Sequence, residues 1–63
     1  MTRAKLEENV ALSRKHVAKQ EAIIARLAEQ GHYVNVVTAI GVLETMHGHL
    51  ALEVKMLAEM KPD

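Results

Sequence analysis

The sequence predicts an all-α protein, an antiparallel two-helix hairpin, and three observations lead to it. Glycine is absent before Gly31 and proline before Pro62. Apolar residues recur at helical spacings on both sides of Gly31. Between these two periodic stretches lies one short interruption, "QGHYVN". Residues 1–63 therefore read as a single domain, with helix 1 over about 3–30, a turn over 31–34 and helix 2 over about 35–60.

Helix 1 is built from Ala, Glu, Lys, Arg, Leu and Gln, the strong helix formers. Leu6, Val10, Val17, Ile24 and Leu27 follow spacings of four, seven, seven and three, which gathers them on one side. Charged residues such as Glu7, Arg14, Lys15, Glu21 and Arg26 fall mostly away from that side. The helix should stop at Gly31, which suits a left-handed C-cap, and Asn35 is the expected cap of the next helix.

Helix 2 opens on β-branched residues, "YVNVVT", a composition shared with strands. The residues that follow decide for helix. Val36, Ile40, Leu43, His47, Leu50, Val54 and Leu57 alternate spacings of four and three, an a/d heptad line. Two helices of similar length joined by about four residues must fold back antiparallel. A turn centred near Tyr33 would place His16 near the level of Leu50, one turn from His47.

Composition removes several function classes. The chain has no cysteine, so disulfides, thiolate metal sites and a cysteine nucleophile are out. One tyrosine is its whole aromatic content, too little for a base-stacking platform. Eight basic residues balance eight acidic ones, which leaves no global attraction for nucleic acid or an anionic membrane. No apolar run reaches the roughly 20 residues of a membrane span. "MTRAKLEEN" lacks the apolar core of a signal peptide, so a cytoplasmic protein is expected. No phosphate-cradling loop or nucleophile–base pair is visible, and the chain is expected not to be an enzyme.

The segment "ETMHGHL" carries two of the four histidines, in His-x-His spacing. On a helix, residues two apart diverge by roughly 200°, so His47 and His49 cannot chelate one ion together. His47 falls in the expected seam and His16 at the edge of the facing one. Two neutral imidazoles can bind zinc, which makes His16 and His47 the candidate metal ligands. The competing reading is a polar layer, in which they satisfy one another or Ser13 and Gln20. Asn9, Ser13, His16 and Gln20 lie along one line of helix 1, and buried polar groups of this kind set register and partner number in coiled coils.

A second face appears on helix 2. Gly41, Thr45, Gly48 and Leu52 follow spacings of four, three and four, with Met56 extending the line. Each glycine costs a helix about 1 kcal/mol relative to alanine. Small residues repeated at this interval let another helix approach closely. Helix 2 is thus apolar on two sides, and one hairpin cannot bury both. The expectation is a homodimer through these five residues, making a four-helix bundle. The alternative is that the glycines are tolerated and Leu52 is a scattered surface leucine.

The stretches "HVAKQEAIIARLAEQGH" and "AIGVLETMHGHLALE" resemble a group of short, uncharacterised α-proteobacterial helical-hairpin proteins. The matching residues are His16, Ala18, Glu21, Ile24, Leu27, Gly31, His32, Leu43 and His47, within residues 14 to 57. This chain departs from the group where Asp-Thr follows Gly-His and Tyr33-Val34 stands here instead. The resemblance implies a hairpin and no particular activity. Function is accordingly expected to be non-enzymatic: self-association through helix 2, with a role as a small adaptor or regulator of a larger protein partner. The competing class is histidine-based metal or small-ligand binding in a helical bundle.

Overall fold

The computed structural model describes residues 2–60, and these form a hairpin of two helices. Helix α1 spans Arg3–Glu29 and helix α2 spans Tyr33–Glu59. Thr2 caps α1: its hydroxyl oxygen accepts from the Lys5 amide at 3.1 Å, satisfying one of the amides a helix start leaves open.

The reversal is tighter than the sequence suggests. Gly31 adopts φ +75°, the left-handed conformation that a side chain disfavours. The Gly31 amide then donates to Ala28 O (3.1 Å) and the His32 amide to Leu27 O (3.0 Å), a Schellman closure of α1. His32 already occupies the N-cap position of α2, without a side-chain capping bond. Asn35, the expected cap, therefore lies inside the helix, which starts two residues earlier than predicted. The cause is that the Schellman turn completes the reversal by His32, after which nothing holds Tyr33 and Val34 out of the helix. Pro62, expected to stop α2, lies outside the described residues.

The centre of the reversal thus lies at Gly31 rather than Tyr33, two residues earlier than expected. Two hydrogen bonds span the helices: Ser13 Oγ to Glu53 Oε1 at 2.5 Å, and Gln20 Nε2 to the Ala39 carbonyl at 3.0 Å. The α1 seam contains the predicted Leu6, Val10, Val17, Ile24 and Leu27, with Ser13 and Gln20 inserted at the same three-four rhythm.

The α2 seam is corrected. Its buried and half-buried line is Val36, Ala39, Leu43, Met46, Leu50, Glu53, Leu57 and Met60. Ile40, His47 and Val54, expected there, are exposed; the residue before each takes its place. Bulk alone favours the expected line, but polar fit decides otherwise. Small Ala39 lets Gln20 reach a backbone carbonyl, and Glu53 meets the Ser13 hydroxyl. The resulting core is thin: among the described residues Leu6, Val10, Val17 and Ala39 are the buried apolar ones, and no large side chain is fully enclosed.

Candidate functional site

Two places on the hairpin hold residues singled out by the sequence. The first is a groove along one edge of the seam. Glu53 is carried on the α2 line between Leu50 and Leu57, and its burial to 8% exposure would be unfavourable for a bare carboxylate. Ser13, from the facing line of α1, donates to it. The exposed His49, one turn before Glu53, brings Nε2 to 3.7 Å from the same oxygen. Ser13, His16, Thr45, Met46 and His49 line a groove of about 280 Å³. An adjoining depression shares Ser13, His16 and His49 and adds Asn9, Leu12 and Glu53.

The expected His16–His47 contact is not formed. His16 is exposed and lines the groove together with Met46 and His49. His47 is exposed and lines neither depression; two residues from His49, it points away around the helix. The structure thus places His49 with His16. Among the described residues no group of three or more His, Asp or Glu side chains is arranged to hold a metal ion. Glu53 escaped the sequence reading, although its three-four spacing from Leu50 and Leu57 was a usable signal.

The second place is the outer face of α2. Gly41, Thr45, Gly48, Leu52 and Met56 are all exposed, with Thr45 at the flank, where it also lines the groove. A Cβ added at Gly41 or Gly48 would meet nothing within 4 Å, so packing inside this chain does not call for glycine at either position. Thr45 donates its hydroxyl to the Gly41 carbonyl (3.2 Å) and Thr38 donates to that of Val34 (3.3 Å). Hydroxyls bonded back to their own helix leave methyl groups for any neighbour. At the turn end, Tyr33, Val34 and Val37 are each at least 70% exposed.

No helix among the described residues is long and apolar enough to cross a membrane. No family model, curated protein or solved structure matches the chain.

Proposed function

We propose that this chain is a non-enzymatic interaction protein of the cytoplasm. It self-associates through the outer face of α2 into a four-helix assembly and serves as a small adaptor or regulator, presenting α1 to a larger partner. The observation that carries this is the distribution of exposed bulk. Among the described residues, the large exposed hydrophobics on α1 are Leu12 and Ile23, against Tyr33, Val34, Val37, Ile40, Val42, Leu52, Val54 and Met56 on α2. Scattered surface leucines are ordinary, whereas a run of this size along one helix is the mark of a contact surface.

Surface area supports the same reading. The hairpin extends 49 × 14 × 13 Å and exposes 4861 Å². A folded monomer of 7.0 kDa ordinarily exposes about 4,000 Å². The excess, roughly 800 Å², is what one partner contributes to a standard protein interface. Sedimentation equilibrium at micromolar concentration tests the proposal, with a mass near twice that of one chain expected. A folded species that stays monomeric through the hundred-micromolar range would remove it.

A second reading has its own observation: His16 and His49 share one groove beside the Glu53 carboxylate. Binding of zinc or a small polar ligand there predicts a rise in melting temperature on titration with zinc. Loss of that rise in His49→Asn, and its persistence in His47→Asn, would locate the ligand in the groove.

A further inference from the structure

The outer face of α2 has an internal order that goes beyond stickiness, and it concerns the direction in which a second copy would lie. Gly41, Glu44, Gly48, Ala51, Lys55 and Ala58 are exposed and alternate spacings of three and four, a second a/d line on the side away from α1. Glu44 and Lys55 are eleven residues apart, three turns of helix, and lie within about 20° of each other around the axis. Neither meets an opposite charge among the described residues. Two unmatched charges of opposite sign thus stand symmetrically about the middle of a line otherwise made of glycine and alanine.

We infer that α2 pairs with α2 of a second copy in antiparallel orientation, with Glu44 of each chain against Lys55 of the other. This rests on the self-association proposed above and adds its orientation and register. When those charges are aligned, every other position on the line falls into place: Gly41 faces Ala58 of the partner subunit, and Gly48 faces Ala51 of the partner subunit. Four small-on-small layers result, two of them outside and two between the charge pairs. Layers of glycine on alanine permit close approach of the two helices, which gives both glycines a role that the single chain lacks. A parallel pair would instead stack Glu44 on Glu44 and Lys55 on Lys55. An antiparallel pair slipped by one heptad would set each Glu44 against a glycine. Like charges face to face are unfavourable, so charge complementarity selects the first arrangement. The assembly is then layered, with the two α2 helices in the middle and each α1 outside.

Charge reversal in the full chain separates these arrangements. Glu44→Lys and Lys55→Glu are each made alone and then together, and dimer dissociation is measured by sedimentation at low salt, with helix content followed by circular dichroism. Each single reversal turns two attractions into two repulsions and should weaken the dimer about tenfold or more, by the scale of exposed ion pairs. The double reversal restores the pairs and should return dissociation to within about threefold of the parent. In a parallel dimer, or one slipped by a heptad, single reversals change little and the double variant rescues nothing. That result overturns the orientation while leaving self-association intact. A parent chain that never dimerises removes both. If a reversal unfolds the hairpin, Glu44→Gln and Lys55→Gln take its place; a loss of about threefold supports the pairing and no loss overturns it.

Discussion

Ser13 and Glu53 are joined across the helix seam by a 2.5 Å hydrogen bond, and this one contact accounts for much of what distinguishes the observed hairpin from the expected one. It places a carboxylate in the interior, where only a donor makes it tolerable. It also turns α2 so that Met46 rather than His47 faces α1.

Removing the donor should therefore be costly. Ser13→Ala leaves the buried carboxylate without its hydroxyl and is expected to destabilise the hairpin by about 1–3 kcal/mol. Ser13→Ala combined with Glu53→Leu removes both partners and should recover most of that loss, since an apolar replacement needs no donor. Urea unfolding of the parent and both variants at one fixed protein concentration measures both effects. Equal destabilisation by the single and double changes would show the bond to be incidental.

The corrected seam makes an opposed pair of predictions at adjacent positions. His47→Asn alters an exposed side chain and should change stability by less than about 0.5 kcal/mol. Met46→Ala empties part of the seam and should cost about 1–2 kcal/mol, below the range for fully buried methionines because Met46 is half-buried. The reverse ranking in thermal unfolding would return His47 to the interior.

At the turn, Gly31→Ala forces a side chain into φ +75°. A cost of about 1–2 kcal/mol is expected from the left-handed backbone, since a Cβ there meets no neighbouring atom. A fall in unfolding midpoint without loss of helix content is the readout; unchanged stability would mean the turn re-forms differently.

Gly48 separates folding from association. Gly48→Ala should raise the stability of the hairpin itself by up to about 1 kcal/mol, because the methyl enters open space on a helix. Gly48→Leu should leave helix content intact and weaken self-association, because a bulky side chain blocks close approach. Comparing circular dichroism with sedimentation for the two variants checks this. Loss of helix with leucine, or an undiminished dimer, speaks against a role for this face.

Much of this was legible in the residues. The α1 seam from Leu6 to Leu27, the C-cap glycine and the two-sided apolar character of α2 all follow from spacing and type, because helical periodicity is a local property of the chain. The groove was only half legible: Ser13 and His16 stood out, but Glu53 did not, and His47 was expected beside His16 where His49 lies, since spacing along one helix does not say which residue lies across the seam.

By itself, then, the order of amino acids determined two helices, their lengths to within two residues, and the stop of the first at Gly31. Those outcomes depend on backbone propensity and on period, which act over a few residues. Tertiary structure alone decided the rotation of α2 about its axis. That depends on whether a donor on one helix finds an acceptor on the other, as Ser13 finds Glu53 and Gln20 finds the Ala39 carbonyl.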